Sequence, residues 1–542
     1  MALSNASQRP VGRALVDQLT IHGVRRIACV PGESYLPVLD ALIGSGVEVT
    51  VCRHEGGAAM MADAWARATG EPGICFVTRG PGAANAFIGV HIAQQDSNPL
   101  ILFVGQVDSG LVGRDAWQEI DLGQAFGGLA KAVMTLDQPD RVAEIVSRAF
   151  HLAVSGRPGP VVVGLPSDVL ALPTTAADAP RAIAVEAGPD PERMSALAAM
   201  LEKARRPVAI VGGSRWDEPS RAALHRFAER FELPVATSYR RGSLFDADHP
   251  SYAGDLGIGA NPRLVARIRA ADLVLLLGGR LGEIAAQRYS LLPFPDPGVA
   301  LVHAHPDPDE IGRLYRPTLA IPASPRRLAP ALATLKPPAK RAWAGAAAEA
   351  HQDYLDWTQA APPRPGTVNL GEIFVWLREQ LSGDAIICNG AGAYAAYLHR
   401  FYRFRGLNAH IAPASASMGY GPPAAIAMKR LHPDRQVLCV GGDGDFLMNG
   451  QEFATMIQYE LPIIAIVLDN GSYGSIRAAQ ERQYPGRPIA TDLRNPDFCA
   501  YARAFGGFGA TVERTEDFAE AFRAADASRV AALIHVKLDV EF

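Results

Sequence analysis

The chain has 542 residues, of which 48% are hydrophobic and 20% charged, with 52 basic and 56 acidic side chains. This is the composition of an ordinary globular protein, and at roughly 100–200 residues per domain the length predicts three domains. The net charge of -4 and the lack of a basic cluster argue against a nucleic-acid-binding protein.

The cysteines and the apolar runs limit the class of protein further. None of the six cysteines belongs to a CxxC pair, so we expect neither a zinc site nor a redox motif. Cys29, Cys75 and Cys439 lie in apolar runs, which is typical of buried small hydrophobic residues. The N-terminus lacks the apolar core of a signal peptide, and no apolar run reaches membrane-spanning length. We therefore expect a cytoplasmic protein without membrane contacts.

Short apolar runs alternate with helical patterns along the whole chain, in three segments separated by Pro- and Ala-rich linkers. Residues 8–172 contain RRIACV, PGICFVTRG, NPLILFVGQV and GPVVVGLP, residues 190–337 contain RPVAIVGG, ELPVATS, ADLVLLLGG and GVALVHAHP, and residues 366–542 contain DAIICNG, QVLCVGG, PIIAIVLD and AALIHVKLD. Such continuous runs are typical of strands buried in a parallel sheet. The predicted fold class is α/β, with three doubly wound parallel-sheet domains, of which the first and third are candidates for a shared topology.

Polar residues follow two successive predicted strands of the third segment. Asp443 lies in the run GGDGD after one strand, and Asn470 lies in DNGSYG after the next. Their separation fits one strand–helix–strand crossover, which places both side chains at the carboxyl ends of adjacent parallel strands. A carboxylate and an amide oxygen are suitable ligands for Mg²⁺, and the backbone carbonyl of Ser472 is a candidate third. The glycines allow close approach of a phosphate, so we predict a metal–phosphate site.

This combination of motifs resembles the thiamine-diphosphate enzymes, and within them the acetolactate synthase branch (large, catalytic subunit). The resemblance implies thiamine diphosphate and Mg²⁺ as cofactors. The residues that it assigns to the diphosphate and the metal in the third segment are Gly442, Asp443, Gly444, Asp445, Asn470, Ser472, Tyr473 and Gly474.

The resemblance also implies a glutamate in the first segment, and VCRHEGGAAMMADAWAR supplies Glu55. In the family this glutamate hydrogen-bonds N1′ of the aminopyrimidine ring, and a carboxyl group in an apolar pocket can share a proton with such a weak base. The alternative is an acidic residue that faces water at a helix N-terminus. Asn85, in the run GPGAANA, matches a family residue near the cofactor ring.

Two further segments match the family around the cofactor. In SASMGYGPPAAIAM, Met418 matches the apolar residue under the bend of the cofactor, and the carbonyl of Ala416 matches the acceptor for its 4′-amino group. A methionine of the ordinary core is the alternative. In NGAGAY, Gly392, Ala393 and Tyr394 match the diphosphate-side loop, although acetolactate synthases typically have Gln-His after the second glycine.

The segments that match the substrate side depart from the family in several places. Trp117 and Gln118 match residues that meet the substrate from the neighbouring subunit, and an ordinary surface loop is the alternative. Glu33 occupies the position at which acetolactate synthases usually have a glycine, so it is a candidate acid or base, or else a solvated loop residue. Pro31 and Gly32 precede it and are assigned to the cofactor.

Ala479 replaces a tryptophan that shapes the acceptor pocket in the family, and VKLDVEF ends the chain without the C-terminal arm that caps the site there. We therefore expect a roomier acceptor site. The run GGRLGEIAAQ differs from the family's flavin-binding run, so we expect no FAD.

The resemblance predicts a carboligase or decarboxylase that acts on a 2-oxo acid such as pyruvate and on a carbonyl acceptor. It further implies a homodimer or homotetramer with active sites at the subunit interface. A 2-oxo acid decarboxylase and a 2-hydroxyacyl lyase of the same superfamily are alternatives. A non-catalytic scaffold that retains the fold is the alternative outside the enzymes.

Overall fold

The structure, a computed structural model, describes residues 8–364 and 366–539. The chain forms two compact units. Of the described residues, the first unit contains 8–185 together with 449–455, and the second contains 186–364, 366–448 and 456–539. The second unit carries two of the three six-stranded sheets found among the described residues. Each predicted domain range contains one six-stranded parallel sheet among the described residues, while the domain boundaries themselves stay a prediction.

The first unit is built on a parallel sheet with the strand order β3-β2-β4-β5-β7-β6, and a short antiparallel pair joins β1 and β8. Its strands are β1 (Arg9–Pro10), β2 (Arg26–Cys29), β3 (Glu48–Val51), β4 (Gly73–Thr78), β5 (Leu100–Gln106), β6 (Ala132–Thr135), β7 (Pro160–Pro166) and β8 (Pro173–Thr174). Its helices are α1 (Val11–Ile21), α2 (Leu36–Leu42), α3 (Glu55–Thr69), α4 (Arg79–Asp96), α5 (Leu122–Phe126), α6 (Val142–Val154) and α7 (Ser167–Ala171).

The second unit begins with a parallel sheet in the order β11-β10-β9-β12-β13-β14. Its strands are β9 (Pro207–Val211), β10 (Val235–Ser238), β11 (Tyr252–Leu256), β12 (Leu273–Leu277), β13 (Ala300–His305) and β14 (Leu319–Pro322). The helices around them are α8 (Pro191–Lys203), α9 (Glu218–Phe231), α10 (Pro262–Arg269), α11 (Pro325–Thr334) and α12 (Ala346–Thr358). Successive strand residues enter two separate apolar clusters, with Ala209 and Val211 in one and Val208 and Ile210 in the other. Both faces of this sheet are therefore covered, which explains its continuous apolar runs.

The last sheet has the order β16-β15-β17-β18-β20-β19. Its strands are β15 (Ile386–Asn389), β16 (His410–Ile411), β17 (Val437–Gly442), β18 (Ile464–Asp469), β19 (Phe508–Val512) and β20 (Ala532–Lys537). The helices that accompany them are α13 (Leu370–Gln380), α14 (Tyr394–Phe401), α15 (Gly421–Leu431), α16 (Asp443–Leu447), α17 (Phe453–Gln458), α18 (Gly474–Gln483), α19 (Phe498–Ala504) and α20 (Phe518–Ala527).

The strand orders confirm the predicted fold class and the shared topology. Numbered within each sheet, the first and last sheets both run 2-1-3-4-6-5, whereas the central sheet runs 3-2-1-4-5-6. In open sheets of this kind, ligands bind beyond the carboxyl ends of the strands, near the point at which the strand order reverses. In the last sheet that point lies between β15 and β17, and in the first between β2 and β4.

Across the described ranges, none of the helices has both the length and the apolar character needed to cross a lipid bilayer.

Candidate functional site

The predicted metal–phosphate residues lie at the ends of two neighbouring strands. Strands β17 and β18 pair in parallel, with Gly442 opposite Leu468. Asp443 follows β17 directly as the first residue of α16, and Asn470 follows β18. The crossover inferred from the sequence spacing is therefore confirmed, although the segment between the strands holds two short helices, α16 and α17, rather than one long helix.

Several polar atoms at these strand ends have unused hydrogen-bonding capacity. The amide nitrogen of Asn470 and the hydroxyl of Ser472 are buried and have no hydrogen-bond partner among the described residues. The side-chain oxygen of Asn470 accepts a hydrogen bond of 3.3 Å from the backbone nitrogen of Ser472. Buried polar groups are normally paired, so unpaired ones beside a buried carboxylate indicate a ligand site. The oxygens of Asp443 and Asn470 suit Mg²⁺ and a diphosphate.

Asn495, which the sequence analysis did not identify, joins the two acidic residues at these strand ends. Its side-chain nitrogen donates to Oδ2 of Asp443 over 2.6 Å and to Oδ1 of Asp469 over 2.7 Å. The loop that carries Asn495 also contacts the DNGSYG turn, since Leu493 donates from its backbone to the carbonyl of Gly471 over 2.7 Å. Asn495 therefore fixes the orientation of the predicted metal ligand Asp443.

The pKa values of the two carboxyl groups at these strand ends, Asp443 and Asp469, shift in opposite directions. Burial raises the pKa of Asp443 above its ordinary value. Burial also acts to raise the pKa of Asp469, but the hydrogen bond from His535 and those from Gly471 and Asn495 outweigh it, so this pKa is lowered. Asp469 is thus the ionised partner of His535, at 2.8 Å. A cation bound beside Asp443 would stabilise its ionised form, as is expected of a metal ligand.

Close packing explains the glycine at position 444. A side-chain carbon there would lie 2.5 Å from the ring of Tyr473, so Gly444 lets the aromatic ring cover the turn. Tyr473 in turn donates from its backbone to the carbonyl of Thr491 over 2.8 Å, and Gly474 begins α18. The two turns after β17 and β18 therefore contact each other through Gly444 and Tyr473.

Asp445 connects three loops beneath the site. Its carboxylate accepts hydrogen bonds from the hydroxyl of Tyr394 at 2.6 Å and from the backbone nitrogen of Gly419 at 2.7 Å. Burial raises the pKa of Asp445 to about 6. Asp445 and Tyr394 are both buried, and their contacts with each other and with Gly419 position the loops. A contact of either residue with the cofactor stays a prediction.

The loop between β16 and α15 carries the predicted residues Ala416 and Met418. Ala416 has a positive φ of 54°, a conformation that costs an alanine about 1 kcal/mol or more. Its backbone nitrogen donates to the carbonyl of Pro413 over 3.0 Å. Met418 is half-buried and precedes Gly419, which Asp445 holds. A strained loop fixed at a buried carboxylate is a feature of pre-formed binding sites.

The predicted diphosphate-side loop lies at the end of β15, next to β17. Gly392 is exposed, Ala393 is half-buried, and α14 begins at Tyr394. Gly390, in the same loop, faces Asp445 so closely that a side-chain carbon would lie 2.1 Å from the carboxylate. The loop is therefore held at the point where the strand order reverses.

In the first unit, Glu55 is half-buried at the start of α3, directly after β3 and its turn. Asn85, on α4, donates from its side chain to Oε2 of Glu55 over 2.9 Å. The structure thus brings together two residues that were assigned to the same end of the cofactor. His54 caps the helix, because its Nδ1 accepts from the backbone nitrogen of Gly56 at 3.0 Å.

Glu452 positions the turn before Glu55 and was missed by the sequence analysis. It belongs to residues 449–455, which join the first unit. Its Oε1 accepts from the backbone nitrogens of Arg53 at 3.0 Å and His54 at 3.1 Å, and its Oε2 accepts from Thr455 at 2.6 Å. Glu452 is fully buried, and this burial raises its pKa. No local motif marks a partner so distant in sequence.

The predicted residues Pro31, Gly32 and Glu33 follow β2, and Glu33 is exposed as the first residue of a short 3-10 helix. A side-chain carbon on Gly32 would lie 2.4 Å from Cβ of Thr78, so only glycine fits against the end of β4. Beside it, the hydroxyls of Ser34 and Thr78 are 2.7 Å apart. This turn lies at the strand-order reversal of the first sheet.

The predicted substrate residues lie on exposed segments. Trp117 is 70% exposed, and its ring lies 5.3 Å from the guanidinium carbon of Arg79. Gln118 has a positive φ of 63°, and its carbonyl accepts from the backbone nitrogen of Gly80 at 2.9 Å. An exposed tryptophan on a constrained loop fits a contact surface better than a core position.

Ala479 lies on α18, a helix in which no residue is buried. Ile476 on the same helix is 55% exposed. This surface is therefore open in the chain by itself, and the roomier acceptor site stays a prediction.

Profiles of three thiamine pyrophosphate enzyme domains match the chain. The N-terminal TPP binding domain matches residues 9–125, the central domain matches residues 194–332, and the C-terminal TPP binding domain matches residues 390–536.

Curated relatives match nearly the whole chain. The acetolactate synthase large subunit of Parasynechococcus marenigrum is 33% identical, over 95% of this chain and 85% of the relative. The acetolactate synthase isozyme 2 large subunit of Escherichia coli is 30% identical, over 97% and 95%. A probable acetolactate synthase large subunit of Methanocaldococcus jannaschii is also 30% identical, over 97% and 91%.

Proposed function

Because the chain belongs to the acetolactate synthase family of thiamine-diphosphate enzymes, we propose that it is a Mg²⁺-dependent carboligase that joins a 2-oxo acid such as pyruvate to a second carbonyl compound. The observation that carries this proposal is the pair Asp443 and Asn470, which follow two paired strands. Buried polar atoms beside them have no hydrogen-bond partner within residues 8–364 and 366–539. Thiamine diphosphate, when bound, supplies the carbanion chemistry that removes carbon dioxide and forms the new bond.

The protein would hold the two ends of the cofactor with different residues. Asp443, Asn470 and the carbonyl of Ser472 would bind Mg²⁺ and thereby the diphosphate. Glu55 would accept and return a proton at the pyrimidine ring, with Asn85 fixing its carboxylate. Met418 would support the bend of the cofactor through its apolar side chain.

We further propose a homodimer or homotetramer in which Glu55 of one subunit serves a cofactor held by Asp443 of another. Apolar side chains exposed in the single chain support this proposal. Phe87 and Ile88 on α4 are 40% and 38% exposed, and Met448, after α16, is 48% exposed. Burial of such residues between subunits is favourable by about 25 cal/mol per Å² of apolar surface. Sedimentation at several protein concentrations tests the assembly. We also propose that the protein is cytoplasmic.

Glu33 supports a second candidate function, a 2-oxo acid decarboxylase or 2-hydroxyacyl lyase. It is exposed at the carboxyl end of β2, where it can reach a bound substrate and supply a proton. In a carboligase, Glu33 would instead donate this proton to the oxygen of the second carbonyl compound.

One experiment separates these activities. The purified enzyme with thiamine diphosphate and Mg²⁺ is incubated with pyruvate and other 2-oxo acids, with and without a panel of aldehydes, and the products are identified by mass spectrometry. A hydroxyketone or 2-hydroxy-2-alkyl acid product supports the carboligase. Release of free aldehyde alone from every 2-oxo acid would favour the decarboxylase. Glu33→Gln should change the product ratio, with Glu71→Gln as a surface control.

A further inference from the structure

A second group of metal-binding side chains lies beyond the end of β18. Asp497, Cys499 and His535 each offer a ligand atom, and these three atoms lie within 4.8 Å of one another. Cys499 and His535 are buried, while Asp497 is exposed. The proposed carboligase chemistry uses none of the three.

The sheet brings these residues together from distant parts of the chain. His535 on β20 lies between Val467 of β18 and Thr511 of β19 in the strand register. Cys499 on α19 has its sulfur 3.1 Å from the hydroxyl of Thr511. Asp497 begins the same helix, and one of its oxygens accepts from the backbone nitrogens of Cys499 and Ala500 at 2.9 and 3.0 Å. That arrangement leaves the second oxygen of Asp497 for a ligand.

The surroundings of His535 match those of a metal-binding histidine. Its Nε2 lies 2.8 Å from Oδ2 of Asp469, and the ring also shares a hydrogen bond with the thiol of Cys499, which a bound metal ion would replace. A histidine that binds a metal typically donates from its other nitrogen to a carboxylate, which fixes the ring. The ring of Phe498 packs edge-on against it, with centroids 5.0 Å apart.

We infer that Asp497, Cys499 and His535 form a binding site for Zn²⁺ or a chemically similar thiophilic divalent cation. Thiolate, imidazole and carboxylate are the ligand types that Zn²⁺ selects, whereas Mg²⁺ avoids sulfur. Zinc bonds of about 2.0–2.3 Å place tetrahedral ligand atoms roughly 3.3–3.8 Å apart. The three ligand atoms now lie within 4.8 Å of one another, so they must move together by about 1 Å to bind zinc. Side-chain rotation can supply such a shift.

The fourth coordination position of this site opens toward solvent. Asp497 and His535 line a cavity of about 410 Å³, together with Asp469, Asn495 and Lys537. The cavity is large enough to admit an ion with its water and a small anion. Three protein ligands with one open position are the arrangement of an exchangeable or catalytic zinc site rather than of a closed structural one.

The site is separate from the proposed Mg²⁺ ligands but connected to them. Asp469 contacts His535 on one side and Asn495 on the other, and Asn495 contacts Asp443. The two metal sites thus share a chain of hydrogen bonds without sharing a ligand. No zinc site was expected from the sequence because none of the six cysteines belongs to a CxxC pair. Cys499 on α19 and His535 on β20 meet only in the folded chain.

Cobalt spectroscopy on the full chain tests the inference. Protein freed of metal by a chelator is titrated with Co²⁺, and the thiolate-to-cobalt charge-transfer band in the near ultraviolet is recorded. We expect the band to saturate at about one ion per chain and to be displaced by Zn²⁺. Cys499→Ser should abolish it. Cys439→Ala, which removes a buried thiol from the same sheet, and Asp443→Asn, which removes the proposed Mg²⁺ ligand, should both retain it.

Two further variants keep the inference testable if Cys499→Ser fails to fold. Asp497→Asn changes an exposed residue, and Asp469→Asn changes the group that orients His535 without changing a proposed ligand. Each should weaken cobalt binding by roughly 10–100-fold. A band that is missing from the parent protein, or one that survives in Cys499→Ser, would overturn the site. Unchanged cobalt affinity in both carboxylate variants would overturn it as well.

Discussion

Asn85 donates a hydrogen bond of 2.9 Å to Oε2 of Glu55, and this contact joins the start of α3 to the interior of α4. Charge-assisted hydrogen bonds of this length are geometrically specific, so the carboxylate of Glu55 is held in one orientation. A side-chain carbon at position 82 would lie 3.6 Å from the other oxygen, Oε1, so the glycine there leaves space beside this oxygen. A carboxylate that is fixed through one oxygen and accessible through the other is suited to exchange a proton with a bound ring.

The proposed proton exchange at Glu55 predicts that a conservative substitution of this residue lowers turnover strongly. Glu55→Gln keeps the shape and the contact with Asn85 but removes the proton-exchanging group. We expect turnover to fall by roughly 10²–10⁴-fold while the Kd of thiamine diphosphate changes little. Steady-state kinetics and calorimetry measure the two quantities. Glu71→Gln, an exposed change in the same unit, is the control, and retention of full turnover by Glu55→Gln would exclude the role.

Gly444 gives a steric test of the diphosphate turn. A side-chain carbon there would meet the ring of Tyr473 at 2.5 Å, so Gly444→Ala must displace either the turn or the ring. We expect the affinity for thiamine diphosphate with Mg²⁺ to fall at least about tenfold, since overpacking costs roughly 1–3 kcal/mol. Gly282→Ala is the matched control because position 282 faces open space. Equal cofactor affinities in the two variants would show that the turn is not part of the site.

Glu452 is predicted to stabilise the turn that carries Glu55. Glu452→Ala removes the acceptor of two partly buried hydrogen bonds, which the backbone nitrogens of Arg53 and His54 donate. Each unsatisfied donor costs roughly 1–3 kcal/mol, so the free energy of unfolding should fall by about 2–5 kcal/mol. Glu452→Gln retains an acceptor oxygen and should lose less. Chemical denaturation compares the variants, and equal losses for alanine and glutamine would contradict this role.

The stability of the metal-free protein should depend on the charge of His535. Burial acts to lower the pKa of His535, but the hydrogen bonds to Asp469 and Cys499 outweigh it and raise this pKa from 6.5 to about 9. A raised histidine pKa means that the stabilisation is fully present below pH 6.5 and is lost as the pH rises through about 9.

The test compares unfolding free energies across this pH range in the presence of a chelator. His535→Gln should lose roughly 1.5–3 kcal/mol at low pH and should flatten the profile. Cys499, whose thiol titrates with the opposite sign, is removed in the control Cys499→Ser, which should keep the downward slope. A parent protein whose stability rises steadily from pH 6.5 to 9 would contradict the assignment.

The sequence predicted the ranges of the inner strands of every sheet, but it predicted no range for an edge strand. The four central strands of each sheet are buried on both faces and appear as continuous apolar runs. The six edge strands, β3, β6, β11, β14, β16 and β19, each pair with one other strand of their sheet among the described residues. Most of them mix buried with half-buried or exposed positions or are very short, so their composition resembles that of loops.

The site was predictable where its chemistry follows a strand end. Asp443 and Asn470 each stand directly after an inner strand, and the crossover spacing relates them to each other. Glu55 follows the edge strand β3 by a short turn and was assigned through the family resemblance. Asn495 and Glu452 were not predictable in this way, because each acts from a loop or short helix through contacts made only in the folded chain. The same holds for the grouping of Cys499 with His535.

The most direct test of the account is calorimetric titration of the cofactor-free protein with thiamine diphosphate in the presence and absence of Mg²⁺. We predict saturable binding that requires the metal and is weakened at least about a hundredfold by Asp443→Asn, because a coordinating carboxylate is lost. Asp497→Asn, at the separate cation site, should bind the cofactor like the parent protein. Failure of the parent protein to bind, or binding that is indifferent to both Mg²⁺ and Asp443→Asn, would contradict a Mg²⁺-dependent thiamine-diphosphate site at Asp443.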